Sequence, residues 1–144
     1  MRLTFCGLGL GLALVVAAAL ASAPTVTAQE PASPSSLAIA GANNFAQYCV
    51  ACHGKDAKGT GPLAKNLSPK PADLTALTTR NAGTFPRDMV FQVIDGRQKV
   101  KGHGGGDMPQ WGDTFLASAG AGSADAVKRR IDSLVDYLAT LQTK

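Results

Sequence analysis

Large and charged side chains are scarce in this 144-residue chain. Aromatic residues make up 6% of the sequence and charged residues 17%. This length is enough for one domain and not for two, and the sequence contains neither an internal repeat nor a second domain. With so few large side chains, the core of the protein would be thin. The formal net charge of +4, without an aromatic platform, gives no reason to expect binding to nucleic acid.

Cysteine is also scarce, since the chain has three. Cys6 lies in the N-terminal leader, which leaves Cys49 and Cys52 for the body of the protein. Two cysteines this close in sequence would close only a very small loop, so a disulfide between them would stabilise the fold little. We therefore interpret the pair as part of a chemical site and not as a structural cross-link.

Residues 1–28 have the pattern of a secretory signal peptide. Arg2 provides a minimal positive charge, residues 8–20 are apolar, and small residues precede a cleavage point after Ala28. An uncleaved membrane anchor over residues 5–23 is the alternative, because this apolar run approaches the roughly 20 residues that a membrane span requires. Both interpretations predict an exported, periplasmic protein.

The rest of the chain is predicted to divide into two parts. Residues 29–36 are polar and contain proline, which predicts a flexible tether. Residues 37–144 are predicted to form the only folded domain. The chemistry of the protein therefore has to be carried by this domain.

The most specific pattern in the domain is Cys49-Val50-Ala51-Cys52-His53. Two thiols three positions apart, with an imidazole directly after the second, are typical of covalent attachment of a c-type haem. Cys49 and Cys52 would form thioethers with the haem, and His53 would be the proximal axial ligand of the iron. In bacteria this attachment takes place outside the cytoplasm, so the leader and the motif support one another. A buried haem would also supply the apolar volume that a thin core lacks.

Together with Met108-Pro109 further along, this motif resembles that of small monohaem class I cytochromes c. The resemblance covers roughly residues 37–142. It implies an all-α, cytochrome c-like fold in which three to four helices surround one covalently bound haem c and the terminal helices cross. It also implies that Met108 supplies the distal thioether ligand, and that the carbonyl of Pro62 accepts a hydrogen bond from Nδ1 of His53.

Two helices are predicted at the ends of the domain. Apolar residues recur at helical spacing over residues 37–52, and again over residues 123–141, where Asp125 suits the N-terminal end. Their crossing is implied by pairs similar to those of the family, a glycine and an aromatic residue in the first helix and Leu-x-x-Tyr in the second. The residues expected at the crossing are Gly41, Phe45, Leu134 and Tyr137.

The segments between the terminal helices are predicted to be mostly loop. Residues 54–72 and 97–122 are rich in glycine and proline, which interrupt helical periodicity. A short helix capped by Asp73 is predicted over residues 73–79. A better-defined helix is predicted from residue 84 or 85 to residue 95, where Gly96 would end it.

Three side chains compete for the distal position of the iron. Met108 is favoured, because the Met-Pro pair matches the family and Pro109 stiffens the segment. His103 is the alternative, although it lies in a glycine-rich stretch without a rigid neighbour and would otherwise titrate in solvent. Met89 lies on the apolar face of a predicted helix, which predicts packing in the core instead of ligation.

Trp111 and Arg97 are candidates for binding a haem propionate. The indole N–H of Trp111 and the guanidinium of Arg97 are both suitable hydrogen-bond donors to a carboxylate. The alternatives are that Trp111 only packs against its neighbours and that Arg97 lies on the solvated surface.

With an imidazole on one side of the iron and a thioether on the other, no position remains open for a substrate. This predicts a periplasmic one-electron carrier and not an enzyme. The alternative is a haem-containing electron-transfer subunit of a larger periplasmic or membrane-bound oxidoreductase complex.

A thiol–disulfide oxidoreductase has less support. Its Cys-x-x-Cys normally opens a helix after a strand, whereas here the pair lies at the end of a predicted helix. A zinc site with His53 and His103 would lack a fourth ligand.

Lysines near the expected haem indicate the kind of partner. Lys55 and Lys58 follow the haem motif, and Lys99 and Lys101 precede the methionine. If both loops flank the haem edge, their charge would steer acidic redox proteins toward it, at rates that fall with ionic strength. The alternative is that these lysines only keep the protein soluble.

The protein is expected to be a monomer, to bind no nucleic acid, and to contact a membrane only if the leader stays uncleaved.

Overall fold

The computed structural model describes residues 34–98, 108–118 and 123–143. Every regular element in these residues is helical, which confirms the predicted all-α fold. The α-helices described are α1 (Pro34–Tyr48), α2 (Val50–His53), α3 (Leu77–Arg80), α4 (Arg87–Asp95), α5 (Trp111–Ala117) and α6 (Ala124–Thr140). Two 3₁₀ helices, Ala64–Asn66 and Leu74–Ala76, lie between α2 and α3. Only α1, α4, α5 and α6 among the described α-helices are longer than about one turn.

The N-terminal segments named above fall almost entirely outside the described residues. This holds for the predicted signal peptide, residues 1–28, for the alternative anchor over residues 5–23, and for the tether up to residue 33. Among the helices that the structure describes, none has both the length and the apolar character that crossing a membrane requires.

α1 begins earlier than predicted, at Pro34 and not at Leu37. Residues 34–36 of the predicted flexible tether are therefore helical. Proline is tolerated at this place because the first N–H groups of a helix have no intrahelical partner. A turn at Cys49 separates α1 from α2, so the predicted helix over residues 37–52 is confirmed as two consecutive pieces.

The crossing of α1 and α6 joins the two ends of the domain. A Cβ atom built on Gly41 would overlap the carbonyl oxygen of Ser133 and would lie 2.7 Å from Cβ of Tyr137, so only glycine lets the helices approach this closely. The buried ring of Phe45 has its centroid 5.5 Å from that of Tyr137. Leu134 is buried in the same core. The predicted packing of the terminal helices is confirmed.

α6 is the helix on which the other long helices assemble. Ser123 caps its start by accepting a hydrogen bond from the backbone N–H of Ala126 (3.2 Å), and Asp125 lies in its first turn. Its buried apolar residues are Val127, Ile131, Leu134, Val135 and Leu138. The same core contains Phe45 of α1, Val90 and Ile94 of α4, and Phe115 of α5. The predicted closing helix is therefore confirmed, with its apolar face inward.

α4 confirms the predicted helix but not the predicted location of Met89. Gly96 ends the helix in the left-handed conformation (φ +94°), as expected of a C-terminal glycine. Val90 and Ile94 are buried one turn apart, whereas Met89 is 38% exposed. Successive residues are about 100° apart around a helix axis, so Met89 is turned away from the face that centres on Val90 and Ile94. The expectation that Met89 packs in the core is wrong.

α5 lies in the segment that was predicted to be loop over residues 97–122. The helix is only seven residues long, and Gly112 in its first turn is a residue that disfavours helix. Tertiary packing explains why it forms. Phe115 is fully buried (0% exposed), and a side chain at Gly112 would overlap the carboxylate of Asp95 in α4. The prediction of a loop at this place is wrong.

Candidate functional site

The cysteine motif lies at the junction of α1 and α2. The backbone N–H of Cys49 still donates to the carbonyl of Phe45 in α1 (2.9 Å), while its own carbonyl accepts from the N–H of His53 (2.8 Å). The chain therefore stays hydrogen-bonded through the turn. Both cysteines are free and half-buried. The site thus presents two unpaired thiols three positions apart on a rigid helical support.

The ring of His53 is buried and is oriented by a backbone carbonyl. The residue is 7% exposed, and Nδ1 lies 3.3 Å from the carbonyl oxygen of Ala72. In the tautomer that donates from Nδ1, the lone pair lies on Nε2, which is the atom suited to bind a metal. This acceptor differs from the predicted one. The predicted acceptor was the carbonyl of Pro62, which is an exposed residue. In the structure the carbonyl beside Nδ1 is that of Ala72.

The loop that follows His53 is fixed by hydrogen bonds to the end of the motif. The N–H of Gly59 donates to the carbonyl of His53 (2.8 Å), and that of Leu63 donates to the carbonyl of Ala51 (2.9 Å). These bonds satisfy carbonyls that a helix end would otherwise leave without partners. Gly61 is required here, because a Cβ atom on it would lie 2.5 Å from the carbonyl oxygen of Ala51.

The segment that carries Ala72 is held by a cap. As predicted, Asp73 caps the turn that follows it: its carboxylate accepts from the N–H (2.8 Å) and from the hydroxyl (2.7 Å) of Thr75. The hydrogen bond from the Thr75 hydroxyl is the main reason why the pKa of Asp73 is lowered. One residue further, the N–H of Leu74 donates to the carbonyl of Ala57 (2.8 Å). The carbonyl of Ala72, which lies beside Nδ1 of His53, is therefore followed directly by residues that hydrogen bonds hold in place.

Met108, the predicted distal ligand, is half-buried against the hydrophobic core. It lies three residues before α5. The rival ligand, His103, and the two lysines of that loop, Lys99 and Lys101, lie outside the described residues.

An aromatic cluster connects the Met108 side of the domain to the cysteine motif. The ring centroids of Tyr48 and Trp111 are 5.4 Å apart, and each lies close to that of Phe115 (5.2 and 5.3 Å). The guanidinium of Arg130 in α6 lies over the Phe115 ring, 4.8 Å from its centroid, in a cation–π contact. Tyr48 directly precedes Cys49, so the cluster joins the two segments expected to contribute the axial ligands. Packing of Trp111 was one of the two alternatives expected from the sequence, whereas its contacts with Tyr48 and Phe115 were not expected, although aromatic residues are scarce enough to single them out.

Arg97 lies on the surface. Its side chain is 81% exposed and forms an ion pair with the carboxylate of Asp95 at the end of α4. This agrees with the solvated-surface alternative. A contact of Arg97 or Trp111 with a propionate stays a prediction.

The chemistry of the thiols does not favour dithiol catalysis. Burial, with a smaller contribution from the neighbouring Cys52, raises the pKa of the Cys49 thiol to about 12. A thiol with such a pKa is protonated at neutral pH and is a poor nucleophile toward a disulfide. Cys49 also lies after a helix and not after a strand. The described residues contain no group of three or more His, Cys, Asp and Glu side chains that could hold a metal ion, so the zinc alternative finds no donor set there.

The donors present fit the haem that the sequence predicts. Two free thiols, an imidazole with its Nδ1 engaged and a half-buried thioether are the groups that a c-type haem with His/Met ligation requires. Oxygen-rich donors, which would indicate a hard cation, are not assembled around His53 among the described residues.

Comparison with known proteins gives one match. The sequence model of the family described as cytochrome C oxidase, cbb3-type, subunit III, matches residues 36–138, more than two thirds of the chain. Neither the curated proteins nor the solved structures provide a match.

Proposed function

The chain belongs to the family described as cytochrome C oxidase, cbb3-type, subunit III, and we propose that it is a periplasmic carrier of one electron. It is a c-type cytochrome with one covalently bound haem c, and it acts in electron transfer and not as a catalyst in its own right. The observation that supports the finer assignment is the arrangement at His53. Its ring is buried and held at Nδ1 by Ala72, directly beside two free thiols.

In this proposal each ligand side chain has a separate task. Cys49 and Cys52 would hold the haem through thioether bonds, and the iron would be bound by Nε2 of His53 and by the sulfur of Met108. When bound, the haem supplies a reversible one-electron Fe(III)/Fe(II) couple. With both of these ligands supplied by the protein, the iron would have no position left for a substrate. The Ala72 carbonyl increases the donor strength of His53, and the thioether of Met108 favours the reduced iron.

A haem-containing subunit of a larger oxidoreductase complex is the second candidate. The family description, which names a subunit of an oxidase, favours it. The two candidates differ in what accompanies the protein. A free carrier purifies alone from the periplasmic fraction, whereas a subunit copurifies with its catalytic partner.

Replacing Met108 by alanine is expected to remove the weak long-wavelength charge-transfer band that a thioether–Fe(III) bond gives the oxidised protein. The reduction potential is expected to fall, because the lost thioether favours Fe(II). Visible spectroscopy and a potentiometric titration of the purified holoprotein would measure both effects. Met89→Ala is the matched control, since Met89 lies on the surface of α4 and should leave the band unchanged.

If the band survives in Met108→Ala, the ligand assignment is wrong. A wild-type protein that lacks the band would instead point to His103, and His103→Ala then becomes the informative variant. Loss of the distal ligand signature in that variant would identify bis-histidine ligation.

The loop after His53 supports the proposal of acidic redox partners. Lys55 and Lys58 are exposed there, as are Lys65 and Lys70. Asp56 is the one acidic residue among them, and its pKa is lowered chiefly by a hydrogen bond from the Thr60 hydroxyl, so it stays ionised at neutral pH. The loop therefore keeps an excess of positive charge beside the cysteine motif.

The rate of electron transfer with an acidic partner protein is expected to fall at least about tenfold from low to high ionic strength, as electrostatically steered encounters do. Stopped-flow measurement of haem reduction over a salt series would test this. Lys58→Glu should lower the rate at low salt, whereas Arg129→Glu, the same change of charge placed on α6, should lower it much less. A flat salt response, or equal effects of the two variants, would contradict steering by this loop.

A further inference from the structure

The C-terminal residues after α6 are hydrogen-bonded to the segment that follows Ala72. The side chain of Gln142 uses all of its polar groups in this contact. Its Nε2 donates to the carbonyl oxygens of Leu74 (2.8 Å) and Leu138 (2.7 Å), and its Oε1 accepts from the backbone N–H of Thr78 (2.9 Å). One amide group thus joins the end of α6 to both the 3₁₀ turn and the start of α3.

The next residue adds further hydrogen bonds to the same segment. The N–H of Thr143 donates to the carbonyl of Thr75 (2.9 Å), and its hydroxyl donates to the same oxygen (3.1 Å). Thr79 returns a longer hydrogen bond to the carbonyl of Thr143 (3.5 Å). Residues 142 and 143 therefore form a clamp on residues 74–79, which we call the C-terminal clamp.

The clamped segment begins two residues after the carbonyl that orients His53. Leu74 is held on both sides, because its N–H donates to Ala57 (2.8 Å) and its carbonyl accepts from Gln142. Ala57 belongs to the loop that directly follows the haem motif. A shift of Leu74 would be transmitted to Ala72 through only one intervening residue, Asp73.

We propose that Gln142 is a positioning residue for the axial ligand, acting on His53 through Leu74 and the carbonyl of Ala72. This inference rests on the proposed role of His53 in binding the iron. A hydrogen bond from Nδ1 makes imidazole a stronger donor and favours oxidised iron. The contact of 3.3 Å between Nδ1 and the carbonyl oxygen of Ala72 is at the long end for N–H···O, so its strength is sensitive to small movements of the acceptor. Loosening the C-terminal clamp therefore weakens this bond and raises the reduction potential.

The test compares the wild-type holoprotein with Gln142→Leu and Gln142→Asn. Leucine keeps much of the volume and removes the three hydrogen bonds, whereas asparagine shortens the side chain and keeps its chemistry. The expected result for Gln142→Leu is a shift of the reduction equilibrium toward Fe(II) of about threefold, or about 30 mV for a one-electron couple. Gln142→Asn should shift it less, in the same direction. Thr140→Ala is the control, since the exposed Thr140 hydroxyl bonds only within α6, to the carbonyl of Tyr137.

Gln142→Glu provides a second measurement. The introduced carboxylate can accept from Thr78 but cannot donate to Leu74, so the potential should again rise. On acidification the protonated carboxyl regains one donor, and the difference from wild type should shrink. The sign of the difference is decisive: a carboxylate that acted only through its negative charge would favour Fe(III) and lower the potential, whereas loss of the bond to Leu74 raises it.

The outcomes separate this inference from the proposed function. Haem content and the Met108 charge-transfer band of the wild-type protein test the proposed function before any clamp variant is made. Variants that fold and bind haem but keep the wild-type potential, even with reduced resistance to denaturant, overturn the positioning role. If Gln142→Leu does not fold, the potentials of Gln142→Asn and Gln142→Glu decide in the same way.

Discussion

Replacing Cys49 and Cys52 together by alanine is expected to abolish covalent attachment of the haem. A thioether needs a sulfur atom from the chain, and the domain has no other cysteine. The measurement is haem staining of the denatured protein after electrophoresis, because only covalently bound haem survives denaturation. Staining is expected in the wild type and absent in the double variant.

The single variants refine this result. Cys49→Ala and Cys52→Ala each leave one thiol, so reduced amounts of stained protein are expected. Their reduced-state absorption bands should move to longer wavelength, because one vinyl group stays conjugated with the ring. Cys6→Ala is the matched control, and no change is expected. Covalent haem in the double variant would contradict the assignment of the attachment site.

Replacing Gly41 by alanine is expected to destabilise the holoprotein by about 2 kcal/mol or more, since overpacking of a tight contact typically costs about 1–3 kcal/mol. The new Cβ atom would overlap a backbone oxygen, that of Ser133, which cannot rotate away. α1 and α6 would have to separate, and the packing of Phe45 against Tyr137 would loosen with them. Denaturant unfolding followed by circular dichroism measures the loss.

Helix propensity alone predicts the opposite sign, which makes this a sharp test. At an open helical position, alanine is more favourable than glycine by about 1 kcal/mol. Ala46→Gly, at an exposed position of the same helix, exchanges the same two residues in reverse and should cost only about that propensity difference. If Gly41→Ala proved neutral or stabilising, the close approach at this crossing would not be a determinant of stability.

The elements that were predicted correctly carry their signal within a short stretch of sequence. α1 and α6 follow from apolar residues at helical spacing, and their crossing from a glycine with an aromatic residue one turn away. The haem motif is likewise local. In each case, the residues that define the pattern are those that make the contacts.

The features that were missed depend on contacts between distant parts of the chain. The acceptor for His53 is a backbone carbonyl, so Ala72 carries no side-chain signal, and the resemblance to the family pointed to Pro62 instead. α5 is short and is stabilised by the burial of Phe115 rather than by its own propensity. The hydrogen bonds of Gln142 likewise span more than sixty residues to the 3₁₀ turn. Such contacts emerge only when the fold is known.

Trp111 is the only tryptophan of the chain, and it lies in the aromatic cluster beside the Met108 segment. Indole emission is quenched by a nearby haem through energy transfer and recovers when α5 detaches. Circular dichroism instead reports mainly α1 and α6, the longest described helices, with 15 and 17 residues. If emission recovers at lower denaturant than helicity is lost, the Met108 side opens before the rest of the fold. The natural sequence therefore contains a fluorescence reporter for local opening, and no label has to be introduced.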